Sequence, residues 1–306
     1  MTIPAVLPST PEGFRSGFVA LVGRPNVGKS TLLNHLVGEK VAITSPVAQT
    51  TRHRLRAILT TPSAQLVLLD TPGIHKPHHL LGERLVQMAR QSIGEVDVVL
   101  ALMDGSVPMG RGDGFVLDLL RQIPQPVVLG LNKQDLVPAE ERDALIASYR
   151  EALPEAPLLP LSALSGDGCP SLVATLEPLL PPGPHLYPPD TVSDQPERVL
   201  LAELIREQVL HQTREEVPHS VAVQIERVEA DGPRTAVLAT VMVERSSQKG
   251  ILIGKGGSML REIGRGARLQ MQTVLGGPVY LELFVKVVPH WRRSATRLAE
   301  LGYTGD

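Results

Sequence analysis

Gly23-Arg24-Pro25-Asn26-Val27-Gly28-Lys29-Ser30 follows an apolar run, Phe18 to Val22, and precedes a stretch in which Leu32, Leu33 and Leu36 recur at helical spacing before Gly38. A strand, a glycine-bounded turn ending in Lys-Ser, and a helix closed by glycine form the setting in which a phosphate-binding loop works. Glycines let the backbone curl so that successive N–H groups face phosphate oxygens, and the helix N-terminus adds positive partial charge. Lys29 offers a point charge for the β/γ-phosphates and Ser30 a hydroxyl for Mg²⁺. The candidate cradle is Gly23, Arg24, Pro25, Asn26, Val27, Gly28, Lys29, Ser30 and Thr31.

Around this loop the chain alternates short apolar runs with amphipathic stretches: Phe18 to Val22, Leu66 to Leu69, Val96 to Met103, Val127 to Leu131 and Pro157 to Leu161. Runs apolar on both faces predict mostly parallel strands covered by helices on both sides, hence an α/β layered sheet. Pro181, Pro182, Gly183, Pro184, Pro188 and Pro189 then interrupt regular structure and read as a proline-stiffened linker. Beyond it the order changes to α-β-β-α-α-β with a terminal helix, a smaller α+β domain. The expected organisation is a flexible lead-in (1–15), a nucleotide-binding domain (16–180), a linker (181–195) and a second domain (196–306).

At 306 residues, with 42% hydrophobic and 20% charged, the chain has enough apolar surface for ordinary cores, and wholesale disorder is excluded. One cysteine, Cys169, cannot form an intramolecular bridge, which points to a reducing compartment. The longest apolar run is too short to span a bilayer, and residues 1–17 lack the charged and apolar blocks of a secretory signal. Charge is unevenly spread. Between Arg245 and Arg297 there are ten cations against two acids, within a chain whose net charge is −2. An acidic body with a basic C-terminal segment suits a protein in which one part tracks a phosphate backbone.

Asp70-Thr71-Pro72-Gly73 begins where the run Leu66 to Leu69 ends, at the carboxyl edge where such sheets bind ligands. Asp70 can hold Mg²⁺ through water, and the Gly73 amide can meet the γ-phosphate and report its loss. Between the two motifs, Gln49-Thr50-Thr51-Arg52 is placed to fold over the nucleotide, with Thr51 favoured to complete the metal shell and Thr50 as the alternative. The metal set is therefore Ser30, Thr51 and Asp70.

Asn132-Lys133-Gln134-Asp135 follows the run Val127 to Leu131. A carboxylate there accepts hydrogen bonds from N1–H and the N2 amine of guanine, donors that adenine lacks, so Asp135 selects GTP over ATP. This disfavours a kinase or ATPase reading. Ser162-Ala163-Leu164, after the next strand, places the Ala163 amide near guanine O6. The nucleotide set thus adds Asp70, Thr71, Pro72, Gly73, Asn132, Lys133, Asp135, Ser162, Ala163 and Leu164 to the cradle.

In the second domain, Gly254-Lys255-Gly256-Gly257 is a GxxG turn between two helical stretches, the arrangement in which backbone amides clamp about four nucleotides of a single strand. On the following helix Leu260, Ile263, Ala267, Met271 and Val274 are predicted to be buried, with Arg261, Arg265 and Arg268 on an adjacent face. The candidate RNA-binding set is Lys249, Gly254, Lys255, Gly256, Gly257, Arg261 and Arg265. Only nine aromatic residues occur in the chain, so base recognition by hydrogen bonds and aliphatic packing is expected, and Trp291 is read as a packing residue.

With these motifs in order, residues 16–180 resemble the G domain of the TRAFAC-class GTPases. The stretches Thr213-Arg214-Glu215-Glu216-Val217-Pro218, Glu244-Arg245-Ser246-Ser247-Gln248-Lys249-Gly250, Ile253-Gly254-Lys255-Gly256-Gly257 and Leu283-Phe284-Val285-Lys286-Val287 make nearly the whole chain look like the Era-like GTPases, bacterial G domains fused to a type II KH domain. The resemblance implies a GTP/GDP switch, Mg²⁺-dependent and slow in hydrolysis, that acts in small (30S) ribosomal subunit assembly by binding 16S rRNA near its 3′ end. A cytoplasmic monomer is the expectation. The basic face would equally suit anionic lipid, so peripheral contact with the inner membrane is a further expectation. Many small GTPases place Gln just after D-x-x-G to orient water; here that residue is Ile74, which cannot. The resemblance implies that Asn26 helps hold K⁺ beside the phosphates instead. Lys29, Thr51, Gly73 and Asn26 form the candidate catalytic set, with His75 and Lys76 as secondary neighbours.

Overall fold

A computed structural model describes residues 9–47, 50–52, 55–73 and 80–303. Gln49, Ile74, His75 and Lys76 lie outside the described residues, as does most of the expected lead-in. The described chain clusters into two units: 9–41, 51–73 and 85–194 in the first, and 42–47 with Thr50, 80–84 and 195–303 in the second.

The first unit runs β1 (Arg15–Val22), α1 (Lys29–Val37), β2 (Leu55–Thr60), β3 (Ala64–Asp70), α2 (Leu80–Gly94), β4 (Val98–Asp104), α3 (Arg111–Leu120), β5 (Val127–Asn132), α4 (Ala139–Ala152), β6 (Leu158–Pro160) and α5 (Cys169–Leu176). Its sheet has the order β2-β3-β1-β4-β5-β6. Strand β1 pairs in parallel with both β3 and β4. Successive strands are therefore added first on one side of β1 and then on the other, and the crevice at the carboxyl end of β1 lies at that reversal. The phosphate loop leaves β1 there.

Alternate residues of the central strands, among them Ala20, Val22, Leu69, Val99, Ala101 and Leu131, join Ala89 and Ile93 of α2 and Val116, Leu117 and Leu120 of α3 in one buried cluster. Helices α1 and α5 cover the opposite face, where Leu32, Leu33, Leu172 and Leu176 are buried. Strand β2 has no counterpart among the runs read from the sequence. It pairs antiparallel with β3 at the sheet edge, and its mixed Leu-Arg-Ala-Ile-Leu-Thr composition gives no continuous apolar signal.

The proline-rich stretch 181–195 carries no helix or strand, and most of it, up to Asp194, clusters with the first unit. It is anchored there: Gln65 Oε1 accepts from the Leu186 and Tyr187 amides at 2.7 and 2.9 Å. The end of the lead-in is held too, because Phe14 is buried with its ring centroid 4.3 Å from that of His185.

The second unit contains α6 (Glu197–Gln212), a short α7 (Val217–Ser220), β7 (Ala222–Asp231), β8 (Arg234–Val243), α8 (Ser246–Ile253), α9 (Ser258–Leu275), β9 (Val279–Val287) and α10 (Ala295–Glu300). Strands β7 and β8 form an antiparallel hairpin, and β8 pairs with β9 in parallel. Val237, Ala239, Val241 and Val243 point to one face of this sheet and pack with Leu204 and Ile205 of α6, Leu252 of α8, and Ile263, Ala267 and Met271 of α9. Two residues depart from the expected buried face of α9: Leu260 is half-buried, and Val274, in the last turn, is exposed. Trp291 is fully buried and its indole N–H donates to the Ser220 carbonyl at 2.8 Å, a packing role as read from the sequence. No helix among the described residues is long and apolar enough to cross a membrane.

Candidate functional site

The loop between β1 and α1 adopts backbone conformations that most residues avoid. Gly28 has φ of 100°, and a Cβ there would lie 2.2 Å from Nδ2 of Asn132. Asn26 takes a left-handed φ of 64°, one of the residue types that tolerate it. The Lys29 ammonium is buried and donates to the carbonyls of Gly23 and Arg24 at 3.3 and 3.1 Å, so it caps the loop it belongs to. Gly73 is packed against this loop: a Cβ on it would fall 2.7 Å from the Pro25 nitrogen. Glycine alone lets the D-T-P-G backbone come so near.

Three side-chain oxygens converge beside Lys29. Ser30 Oγ is 3.1 Å from Thr51 Oγ1, and both hydroxyls donate to Asp70 Oδ2 at 3.0 Å. Asp70 is fully buried, and its other oxygen, Oδ1, has no hydrogen-bond partner among the described residues. Burial pushes the Asp70 carboxyl above the usual carboxylate range, with the Lys29 ammonium opposing; burial likewise lowers Lys29, with Asp70 opposing. A buried carboxylate with a spare oxygen and two hydroxyls is a hard-oxygen set of the kind Mg²⁺ takes together with phosphate and water. Thr50 is not part of it. Its hydroxyl donates to the Val47 carbonyl at 2.6 Å.

The loops that follow β5 and β6 are tied to the phosphate loop by Asn132. Its Nδ2 donates to the Val27 carbonyl at 2.8 Å, and its Oδ1 accepts from the Ala163 amide at 2.8 Å. One buried side chain thus fixes the spacing of three loops. Lys133 has a left-handed φ of 66°, and its ammonium lies 2.6 Å from Asp104 Oδ2. Asp135 stands at the start of a single turn of tighter helix, exposed, with no protein partner among the described residues. Ser162 is buried and Leu164 is 78% exposed in the same loop.

Two contributors escaped the sequence reading. Asp104, at the end of β4, accepts from Lys133 and from the Ser106 hydroxyl; burial would raise its carboxyl, but the Lys133 partner holds it below the usual range. Its signal was present, a carboxylate directly after the apolar run ending at Met103. Asp113 of α3 is fully buried and holds the Arg24 Nε at 2.6 Å. Nothing in local spacing connects residues so distant in the chain.

In the second unit the GxxG turn lies between α8 and α9. Gly254, Gly256 and Gly257 all have positive φ, at 71°, 59° and 78°, so side chains are disfavoured where backbone amides are presented. Lys255 of the turn and Arg261, Arg265 and Arg268 of α9 are exposed, and Lys249 is half-buried. Arg261 also donates to the Gly256 carbonyl at 2.8 Å and braces the turn. The basic balance is smaller than the ten-to-two ratio suggests. Arg292 pairs with Glu244 at 2.5 Å and Arg297 with Glu300 at 2.5 Å, both acids lying outside the stretch from Arg245 to Arg297.

Fold and site together define a P-loop GTPase domain joined to a KH domain. Comparison with known proteins agrees: residues 18–133 match the family described as 50S ribosome-binding GTPase, and residues 216–292 match the KH domain family. GTPase Era of Synechocystis sp. is 60% identical over 98% of this chain and 96% of its own, and that of Crocosphaera subtropica is 55% identical over 98% and 96%. Among solved structures, a point variant of Aquifex aeolicus Era bound to GDP·AlF4⁻ superposes with a TM-score of 0.91 at 41% identity, covering 95% of this chain and 100% of that one. Era in complex with MgGDPNP and nucleotides 1506–1542 of 16S ribosomal RNA gives 0.92 at 41% identity, covering 95% and 99%. The chain belongs to the Era family of GTPases.

Proposed function

We propose that this GTPase works as an RNA-gripping switch in small-subunit assembly: the nucleotide held at the first unit governs how firmly the second unit holds 16S rRNA near its 3′ end. The observation that carries this reading is the relative of nearly identical span that holds MgGDPNP and nucleotides 1506–1542 of 16S rRNA together. This chain keeps the chemistry for both, with Lys29, Ser30 and Asp70 on one side and a GxxG turn carrying the exposed cations Lys255 and Arg261 on the other.

Within this reading Mg²⁺ is held by Ser30, Thr51 and Asp70, and supplies charge neutralisation at the β- and γ-phosphates. Lys29 binds the same phosphates from the loop, and its buried setting strengthens the attraction. The Gly73 amide meets the γ-phosphate. The Asp135 carboxylate accepts the two guanine donors while the Ala163 amide meets O6. Asn26, which takes a left-handed backbone in the loop, helps retain K⁺ in this reading, and the ion would supply the charge an arginine finger brings elsewhere. The protein is cytoplasmic in this reading and acts as a monomer, with contact to anionic inner-membrane lipid as a secondary use of the basic face.

The test is the affinity of the full chain for a single-stranded RNA matching the 16S 3′ end, measured with GTP analogue and with GDP. Tighter binding with the GTP analogue is expected; equal binding would sink the switch. Turnover in K⁺ exceeding that in Na⁺ is the expected result for Asn26, and co-sedimentation with anionic vesicles checks the membrane contact.

A further inference from the structure

The side chain of Arg24, the second residue of the phosphate loop, runs to the first turn of α3 in the same unit. Its Nε donates to Asp113 Oδ1 at 2.6 Å, and the Asp113 side chain is 0% exposed. A carboxylate so placed is costly unless its oxygens are satisfied. Both are: Oδ2 accepts from the Gly110 amide at 2.9 Å, closing the start of α3, while Oδ1 takes Arg24. Room for the pair comes from Gly112, where a Cβ would lie 2.5 Å from Arg24 Cδ. Gly112 sits in ordinary helical backbone, so the neighbouring arginine and not the chain's own conformation calls for a glycine there.

The backbone anchored by this pair is a meeting point. The Lys29 ammonium donates to the Arg24 carbonyl at 3.1 Å. Gly73 of D-T-P-G packs against the Pro25 nitrogen, 2.7 Å from where its Cβ would be. Carbonyl and nitrogen belong to one peptide unit, which is planar and stiff, so a shift of one carries the other. Any movement of Arg24 is therefore felt by Lys29 and Gly73 together.

We infer that Asp113 is a positioning residue for the GTP-bound state: by holding Arg24 it fixes the Arg24–Pro25 peptide, and with it the places of the Lys29 ammonium and the Gly73 amide at the γ-phosphate. This rests on the reading of Lys29 and Gly73 given under the proposed function. GDP has no γ-phosphate, so a loosened peptide costs the GTP state more than the GDP state. What Asp113 contributes is a difference in affinity between the two nucleotides.

The test uses the full chain and measures affinity for GDP, affinity for a non-hydrolysable GTP analogue, and kcat for GTP. Asp113→Asn keeps an oxygen for the Gly110 amide and removes the charge facing Arg24. It is expected to lower analogue affinity and kcat about tenfold each, with GDP affinity within about twofold of the parent, the scale set by small misplacements of groups around a reacting centre. Arg24→Met should do the same, and the double variant no more than either alone, because all three break one contact. Gly112→Ala is the decisive arm, and it stands in should the Asp113 variant not fold. It keeps both charges and the helix cap, alanine favours the helix, and Arg24 is displaced. A melting temperature at or above the parent's is expected, with the analogue-to-GDP affinity ratio lowered about fivefold. A merely structural role would lower the melting temperature and leave that ratio alone. Folded variants with the parent's ratio would overturn the inference, as would losses that add in the double variant. Gly73→Ala separates the inference from the reading beneath it: an unchanged ratio there removes the γ-phosphate role of Gly73, while the Asp113 and Gly112 arms still decide whether the Arg24 anchor favours the GTP state.

Discussion

A Cβ added to Gly28 would stand 2.2 Å from the side-chain nitrogen of Asn132. The phosphate loop and the loop after β5 thus come together through the one residue type without a side chain. Gly28→Ala must displace Asn132 and also occupy a φ of 100° that L-residues disfavour. The expected loss is about 3 kcal/mol, or roughly a hundredfold in GDP affinity. Asn132→Ala, which strips partners from the Val27 carbonyl and the Ala163 amide, should cost about 1–3 kcal/mol for each group left unpaired. Titration calorimetry with GDP checks both.

Thr51 and Thr50 are chemically the same and adjacent, but only Thr51 has its hydroxyl on Asp70. Thr51→Ala should raise the Mg²⁺ needed for hydrolysis by about tenfold or more. Thr50→Ala removes a hydroxyl bonded to the Val47 carbonyl and should alter Mg²⁺ dependence far less. Hydrolysis rates across a Mg²⁺ series separate the two, and equal shifts would contradict the geometry.

The Glu244–Arg292 pair gives the second unit a defined acid sensitivity. Burial by itself would raise the Glu244 carboxyl, but the Arg292 guanidinium at 2.5 Å holds it below its ordinary value of 4.5. A depressed folded pKa means stability that is complete above the unfolded value and lost as pH falls through the folded one. Glu244→Gln should therefore destabilise this unit by about 2 kcal/mol at pH 7, with the difference shrinking below the ordinary carboxylate value. Trp291, the only tryptophan, is buried in the same unit and reports its urea unfolding directly.

Exposed cations beside the GxxG turn are expected to set the salt dependence of RNA binding. Replacing Arg265 by Met should weaken RNA affinity and reduce the slope of log affinity against log salt by about 0.7, the value for one contact to a single strand. Arg297→Met should leave the slope as it was, since Arg297 already pairs with Glu300. Fluorescence anisotropy with a labelled RNA at several salt concentrations measures both.

Most of the first unit could be read from local pattern. The strands β1, β3, β4 and β5 are buried on both faces and announce themselves as apolar runs, and the phosphate loop, D-T-P-G and N-K-Q-D follow β1, β3 and β5. Strand β2 was missed because an edge strand of mixed composition has no such run. The order of elements in the second unit was legible too, whereas the charge count was blunter than the molecule, since Glu244 and Glu300 neutralise cations from outside the basic window.

The sequence by itself determined which groups exist and in what order along the chain: a glycine-bounded loop ending in Lys-Ser, a carboxylate after the fifth strand, a glycine turn between two helices. These depend on residues within a few positions of one another, so periodicity and spacing carry them. Only the tertiary structure decided that Thr51 rather than Thr50 meets Asp70, that Asn132 binds three loops together, and that residues 42–47 and Thr50 are held by α6. The reason is physical. Those last contacts join side chains to backbone atoms across 31 to 167 positions, and a carbonyl or amide looks the same in every residue, so the sequence around it records nothing of its distant partner.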